Sequence, residues 1–314
     1  MFGLVDCNNF FASCEKVFNP KFENQPLVVL SNNDGCVIAR SQEAKALSIP
    51  MGAPVFQYEP LFKKFGVVVL SANFPLYLDM SERVMQSLSE LCPRIQVYSI
   101  DEAFLALDDL KEQDLESYAC LVRNTIRKWT GLYVSVGIAP TKALTKVANS
   151  FAKLSQDKGV FVIRQHEIQK YLEKTAVEDL WGIGRRLTCI LKRHGIHTAW
   201  QLCCKDDLWI KKHLTVVGLR LVMELRGISC LDFEEVSEPK KTISTAKSFE
   251  KLISSKTTID AILSEYTANV ALKLREQRSL ASCVMVWIQT NPHKIMPQHS
   301  QSGSIALLEP TNFT

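Results

Sequence analysis

Two adjacent carboxylates, Asp101 and Glu102, stand between two apolar runs with the composition of β-strands, residues 95–98 and 103–107. Acidic side chains are depleted in strands and are rarely buried unless a counter-charge or a metal ion accompanies them. The pair therefore lies either in an acidic hairpin turn or in a cation site. The pair alone leaves both alternatives open.

A third acid, Asp6, ends the apolar run at residues 2–5. If its strand pairs with that of the other two acids in the middle of one sheet, where neighbours lie about 4.8 Å apart, the three carboxylates converge. Successive residues of a regular strand point to opposite faces, so Asp101 and Glu102 share a site only if the backbone turns there. Clustered carboxylates repel one another and need divalent cations or shared protons. Such oxygen ligands suit two Mg²⁺ ions, with Mn²⁺ as the alternative, and in-line phosphoryl displacement.

Three reactions fit this chemistry: nucleotidyl transfer first, then nucleotide cyclisation, then nuclease cleavage. The 314-residue chain has room for more than one domain. Its net charge of +4 is uneven, because residues 181–260 hold 14 Lys and Arg against 9 Asp and Glu. No apolar run could span a bilayer and the first residues do not form a signal peptide, which favours a cytoplasmic protein. The ten cysteines form no C-x-x-C pair, so they predict buried apolar residues rather than a zinc or redox motif.

A Gly-rich segment begins at Trp181, and its pattern predicts a helix, a short turn and a second helix. Such a turn brings backbone N–H groups to a helix N-terminus, where they bind phosphate, and arginines there add counter-charges. The alternative is a plain helical hairpin with a Gly cap. Together with the upstream carboxylates, the segment indicates a protein that binds nucleic acid. The proposed DNA-contacting residues are Gly182, Gly184, Arg185 and Arg186.

Strands and helices are mixed through residues 1–163, which predicts an α+β sheet covered by helices on one face. Ser41 and Thr141 are predicted helix N-caps, and Asp34-Gly35 predicts a hairpin turn. Apolar spacing predicts helices over residues 76–91, 115–129 and 142–154, strands over 132–138 and 160–163, and mostly loop with a short helix over 48–66.

Several motifs together resemble the UmuC-like branch of the Y-family translesion DNA polymerases. They are D-C-N-N-F-F-A at 6–12, S-N-N-D-G-C-V-I-A-R at 31–40, E-A-K at 43–45, Y-S-I-D-E-A-F at 98–104, V-G-I-A-P-T-K at 136–142 and W-G-I-G-R-R at 181–186. The resemblance implies an α+β right-hand polymerase with a ferredoxin-like palm, small fingers, a helical thumb with a helix-hairpin-helix, and an incomplete little finger. The implied bounds are 1–10 and 71–163 for the palm, 11–70 for the fingers, 164–231 for the thumb, 232–242 for a linker and 243–314 for the little finger.

The resemblance also implies roles for single residues. Asp6, Asp101 and Glu102 match the family's catalytic metal ligands, and the backbone carbonyl of Cys7 would complete the shell of one of two Mg²⁺ ions. Phe11, beside Phe10, matches the aromatic residue that packs on the nucleotide sugar and excludes a ribose 2′-hydroxyl. Lys45 and Lys153 match the lysines that contact the incoming triphosphate.

The implied function is error-prone, template-directed DNA synthesis on primer-template DNA with dNTPs, in translesion synthesis and SOS repair. A UmuD-type dimer and RecA are implied as partners, and we find no segment of the kind that docks on a sliding clamp. The last part predicts strands at 242–249, 281–289 and 303–308 and a helix at 259–274, which leaves the little finger short of one helix and one strand. The alternative is therefore a truncated, non-catalytic relative that binds DNA or UmuD.

Overall fold

The computed structural model describes residues 1–155, 159–233, 239–249, 252–291 and 296–313. The chain divides into two compact units, Met1–Val236 and Ser237–Thr314. The strands of the first unit are β1 (Phe2–Cys7), β2 (Leu27–Leu30), β3 (Val37–Arg40), β4 (Val68–Ser71), β5 (Ile95–Val97), β6 (Glu102–Ala106), β7 (Val134–Ala139) and β8 (Val160–Val162). Its helices are α1 (Phe10–Phe18), α2 (Gln42–Ala46), α3 (Val55–Phe65), α4 (Phe74–Leu91), α5 (Leu115–Thr130), α6 (Lys142–Leu154), α7 (Ile168–Leu172), α8 (Arg185–Arg193), α9 (Ala199–Cys203) and α10 (Asp207–Leu225).

The main sheet has the strand order β5-β6-β1-β7-β8. β1 is antiparallel to both of its neighbours, β6 and β7, whereas β8 is parallel to β7. Because β1 is central, neighbouring strands flank it along both edges. Four of its six residues are buried. The strands of Asp6 and Glu102 do pair in the middle of one sheet, which meets the condition for the carboxylates to converge.

Helices cover both faces of this sheet, whereas the sequence predicted cover on one face only. Val5 and Val136 belong to the same buried cluster as Met80 of α4 and Ile126 of α5. α6 packs on the other face, where its backbone comes against Gly137 of β7. The sheet is therefore enclosed, and α6 faces the side chains of alternate residues of β1.

Gly137 permits the close approach of α6 to the sheet. A Cβ at this position would lie 2.3 Å from the backbone nitrogen of Asn149 and 2.7 Å from the backbone oxygen of Thr145, and neither atom can move without the helix. We expect Gly137→Ala to lower the free energy of unfolding by about 3 kcal/mol, measured by urea denaturation. Gly303→Ala is the matched control, because its Cβ would meet nothing within 4 Å. Equal stability of the two variants would contradict the expectation.

The segment proposed as the fingers contains a second, three-stranded sheet in the order β3-β2-β4, whose last strand ends at Ser71. The predicted hairpin turn joins β2 to β3, and Asp34 there has a left-handed φ of 52°. The Ser41 hydroxyl accepts the N–H of Ala44, so Ser41 caps α2 as predicted. Residues 55–65 form the regular helix α3 although Pro60 lies inside it, a longer helix than the sequence indicated.

The segment proposed as the thumb, residues 164–231, is mostly helical, and its apolar side chains form one buried cluster with residues of α6. The helix predicted before the Gly-rich turn is wrong, because that stretch contains only a 3-10 turn, Val177–Asp179. The helix predicted after the turn is present as α8. α10 has a kink at Thr215, whose φ of 66° departs from helical geometry.

A buried carboxylate, Glu224 of α10, joins the thumb segment to α6. Its Oε2 accepts the backbone N–H of Ala143 at 3.1 Å, beside the Thr141 cap of α6. Its Oε1 accepts the N–H groups of Cys230 at 2.6 Å and Leu231 at 3.0 Å. The charge is therefore satisfied by three backbone donors, one of them in the first turn of a helix, where negative charge is stabilised.

The second unit contains helix α11 (Lys256–Gln277) and the antiparallel strands β9 (Ala281–Gln289) and β10 (Ser300–Thr311). The helix and the last two strands were predicted. The strand predicted over residues 242–249 is wrong, because this stretch has no regular secondary structure. Across the described ranges of the chain, no helix is long and apolar enough to cross a membrane.

Candidate active site

The three predicted carboxylates meet at one end of the central strands. Asp6 of β1 lies directly opposite Glu102 of β6 in the antiparallel register. Asp101 precedes β6, and its backbone oxygen accepts the N–H of Cys7 at 2.8 Å. The backbone N–H groups of Tyr98 and Ser99 both donate to the backbone oxygen of Glu102, at 3.0 and 3.1 Å. These two hydrogen bonds close a tight turn. The backbone thus turns at Asp101, as the sequence required for the two adjacent acids to share a site.

Each carboxylate has a compensating donor in this structure. Lys153 Nζ lies 2.7 Å from Asp6 Oδ2, and Lys146 Nζ donates to Glu102 Oε2. The Ser99 hydroxyl donates to Asp101 Oδ1 at 2.6 Å. Both lysines come from α6, two helical turns apart, so the helix on the second face of the sheet supplies the counter-charges.

Burial raises the pKa of Asp6 above its ordinary value. The Lys153 ammonium opposes this change, while the Glu102 and Asp101 carboxylates raise the pKa of Asp6 further. The three acids are therefore close enough to repel one another, as the sequence predicted. A divalent cation would relieve that repulsion.

The donor set fits magnesium, since three carboxylates offer only oxygen ligands. In the part of the chain that the structure describes, no three His, Cys, Asp or Glu side chains are already grouped around one metal position. Asp6 and Glu102 are each turned to a lysine. Each lysine contacts one oxygen of its carboxylate, Asp6 Oδ2 or Glu102 Oε2, so a metal ion could bind the second oxygen while the lysine contact stays. The Cys7 thiol is buried in the apolar cluster on the face of the sheet opposite α6, so only the backbone carbonyl of Cys7 stays a proposed ligand.

The two predicted aromatic residues have different surroundings. Phe10 is 4% exposed and belongs to the core, so it supports its neighbour rather than facing a ligand. Phe11 is half-buried and stacks on Tyr77, with ring centroids 4.3 Å apart. The Tyr77 hydroxyl donates to Glu15 at 2.7 Å. Phe11 is thus held in one orientation beside the strand that carries Asp6.

The structure brings Lys45 and Lys153 together from distant parts of the sequence. Burial lowers the pKa of Lys45, the positive charges of Arg40 and Lys153 lower it further, and Asp6 opposes the change. Lys45 therefore lies within electrostatic range of the carboxylate site. Arg40, which sequence reasoning did not assign, is part of the same group of cations. The signal that could have found it is its place at the end of β3, next to the helix that carries Lys45.

The Gly-rich turn exposes the residues predicted to contact DNA. Gly184 is the N-cap of α8 and supplies no side-chain acceptor, and Arg185 and Arg186 follow it on the surface. Gly182 adopts a left-handed φ of 81°. Ile183 between the two glycines is buried and anchors the turn to the thumb core.

Sequence reasoning missed two residues that contact the site, one lysine and one tryptophan. Lys146 is one, although its spacing from Lys153 places both on one face of α6. Trp181 is the other: its indole N–H donates to the Tyr98 hydroxyl at 3.0 Å, which ties the Gly-rich turn to the turn that carries Asp101.

The model of the impB/mucB/samB family matches residues 5–150, and the model of that family's C-terminal domain matches residues 240–314. The chain is 42% identical over 316 residues to the protein UmuC of Salmonella typhimurium, and the match covers 99% of this chain and 75% of that protein. It is 40% identical over 320 residues to the protein SamB of the same species, which covers 100% of this chain and 76% of the relative.

Solved structures agree on the fold. A Y-family DNA polymerase chimera of Dbh and Dpo4 superposes with a TM-score of 0.76 at 21% identity, over 99% of this chain and 89% of that one. DinB from Sulfolobus solfataricus gives a TM-score of 0.65 at 23% identity with the same coverage. The predicted right-hand polymerase fold is therefore confirmed. The chain belongs to the impB/mucB/samB family.

Proposed function

We propose that the carboxylates at the end of β1 and β6 catalyse template-directed nucleotidyl transfer onto a DNA primer. The chain is a DNA-directed DNA polymerase of error-prone translesion synthesis, as its relatives indicate. The observation that supports this site most directly is the register that sets Asp6 opposite Glu102, with Asp101 in the adjoining turn. Lys45 and Lys153 beside it add the cationic charge that a triphosphate needs.

Asp6, Asp101, Glu102 and the carbonyl of Cys7 would hold two Mg²⁺ ions, with Mn²⁺ as the alternative. When bound, such ions stabilise the negative charge on the attacking and leaving oxygens of an in-line displacement. The primer 3′-hydroxyl oxygen forms a bond to the α-phosphorus and gives up its proton to water. The bond from that phosphorus to the bridging oxygen breaks, and pyrophosphate leaves with the electron pair.

The lysines and the Gly-rich turn would hold the substrates. Lys45 and Lys153 are placed to offset the triphosphate charge, which grows on the leaving group during transfer. The N–H groups at the start of α8, with Arg185 and Arg186, would bind the phosphate backbone of primer-template DNA. A UmuD-type dimer and RecA as partners, and a cytoplasmic location, belong to this proposal through the likeness to UmuC.

Primer extension with Mg²⁺ and dNTPs on a template with an abasic site tests the proposed function. We expect the primer to lengthen past the lesion with the wild-type chain and not with Asp101→Asn. A cyclase would instead consume nucleotide without template, and a nuclease would shorten the primer. If neither protein extends the primer in the presence of the implied partners, the non-catalytic alternative replaces this proposal.

Phe11→Ala is expected to increase the incorporation of ribonucleotides relative to deoxyribonucleotides by roughly 10- to 100-fold. The stacking of Phe11 on Tyr77 fixes the orientation of the Phe11 ring, which we propose meets the 2′ position of the incoming sugar. Selectivity here comes from a steric clash between the ring and a ribose 2′-hydroxyl. Without the ring this clash is absent, so discrimination against ribonucleotides falls. Single-nucleotide incorporation with matched dNTP and rNTP measures this ratio. Phe18→Ala, an exposed aromatic on the same helix, is the control and should leave the ratio unchanged.

A further inference from the structure

A cage of three aromatic rings surrounds the ammonium group of Lys146. Its Nζ lies 4.4 Å from the ring centroid of Tyr98, 5.7 Å from that of Trp181 and 5.8 Å from that of Phe104. Cations are attracted to aromatic faces within about 6 Å, most strongly to Trp. The same ammonium donates to Glu102, and both side chains are only 18% exposed. The cage therefore fixes the charge that contacts a proposed catalytic carboxylate.

The three rings come from different parts of the fold. Phe104 lies on β6 and Tyr98 in the turn before it, whereas Trp181 belongs to the thumb segment, immediately before Gly182. Trp181 and Tyr98 meet edge to face, with centroids 5.6 Å apart and an interplanar angle of 87°. The indole N–H of Trp181 also donates to the Tyr98 hydroxyl at 3.0 Å. Trp181 thus holds Tyr98 in place over Lys146.

Tyr98 is joined to the catalytic turn by its backbone as well as by its ring. Its N–H donates to the backbone oxygen of Glu102 at 3.0 Å, in the turn that also carries Asp101. A displacement of Tyr98 therefore reaches Glu102 by two routes, through this hydrogen bond and through the Lys146 ammonium. Both routes begin at Trp181.

We propose that Trp181 is a positioning residue for the polymerase reaction, acting on Glu102 through Tyr98 and Lys146. The inference rests on the proposed function of the carboxylates. It couples the Gly-rich turn, which would grip the DNA backbone, to the geometry of the catalytic acids. DNA bound at the thumb then stabilises the arrangement of the site in which Glu102 is correctly oriented.

A double-mutant cycle tests the coupling, because Trp181→Phe and Tyr98→Phe each remove the same hydrogen bond and leave a ring in the cage. We expect each variant to lower kcat by about 3- to 10-fold with the KM for DNA unchanged, and the double variant to be no slower than the single ones. Trp200→Phe, a half-buried thumb tryptophan away from the cage, is the control and should keep wild-type kinetics. The proposal is overturned if the kcat losses of the two single variants multiply in the double variant. It is also overturned if the variants lower thermal stability and leave kcat unaltered, because the contact is then merely structural.

An NMR readout distinguishes failure of this inference from failure of the proposed function. The indole N–H resonance of Trp181 is assigned by its loss in Trp181→Phe and should shift in Tyr98→Phe, which removes its acceptor. Mn²⁺ added without DNA should broaden the Trp181 resonance before those of Trp200 and Trp209. Broadening that is equal for all three indoles contradicts the placement of Trp181 beside the site, whether or not the chain extends primers. Absence of primer extension alone contradicts only the proposed function.

Discussion

Asp6→Asn is expected to reduce primer extension by roughly 10³-fold or more while the chain stays folded. Asp6 lies opposite Glu102 at the end of the central strand, and an amide cannot replace a charged ligand for a divalent ion. Single-turnover extension of a labelled primer under saturating Mg²⁺ measures the loss. Asp109→Asn, an exposed acid outside the site, is the control and should retain full activity. Extension by Asp6→Asn within tenfold of wild type would refute the role of this carboxylate.

The same substitution should not destabilise the metal-free chain at neutral pH. Because the pKa of Asp6 is raised in the folded state, the charged form is disfavoured there, and stability falls as the pH rises from 3.8 through the raised value. Asn carries no charge and removes this dependence, although it also loses the contact with Lys153. We expect thermal midpoints at pH 7 within a few degrees of each other, so that lost activity cannot be attributed to unfolding.

Glu224→Ala is expected to lower the free energy of unfolding of the first unit by about 4 kcal/mol. The substitution leaves the N–H groups of Ala143, Cys230 and Leu231 without an acceptor in the interior, where each unsatisfied donor costs about 1–3 kcal/mol. Urea denaturation followed by circular dichroism measures the change. Primer extension should fall as well, because the affected end of α6 leads to Lys146 and Lys153.

Two further substitutions test the source of that effect. Glu82→Ala removes an exposed helical Glu and should change stability by no more than about 0.5 kcal/mol. Glu224→Gln keeps one oxygen acceptor but turns an amide N–H₂ toward backbone donors, so its loss should lie between those of the other two variants. A Glu224→Ala chain as stable as Glu82→Ala would mean that water replaces the carboxylate.

The three carboxylates were predictable because each is an acid next to an apolar run, and this pattern is local in the sequence. The helices 115–129 and 142–154 were predictable from apolar spacing for the same reason, and the structure has them as Leu115–Thr130 and Lys142–Leu154. The Thr141 cap was likewise predicted from residue type and accepts the N–H of Leu144.

The contacts of Lys146 and Trp181 were not predictable in this way, because they depend on which face of the sheet α6 covers. That choice requires Gly137, which permits the close approach of α6 to the sheet, and Glu224 on α10, which is 81 residues from its partner Ala143 in sequence. The strand expected at 242–249 failed for a related reason. Residues 242–249 have the composition of a strand, but strand propensity alone does not supply a neighbouring strand. None of the described strands pairs with this stretch.

The central position of β1 has a consequence for synthesis of the chain. Residues 2–7 are translated before both of their hydrogen-bonded neighbours, residues 102–106 and 134–139. The middle of the sheet therefore stays open until well over a hundred residues have been made, and contacts of such long sequence separation form slowly. During that interval an apolar N-terminal strand is available to wrong partners. We infer that the proposed catalytic end of β1 acquires its final surroundings late, long after its own residues have been translated.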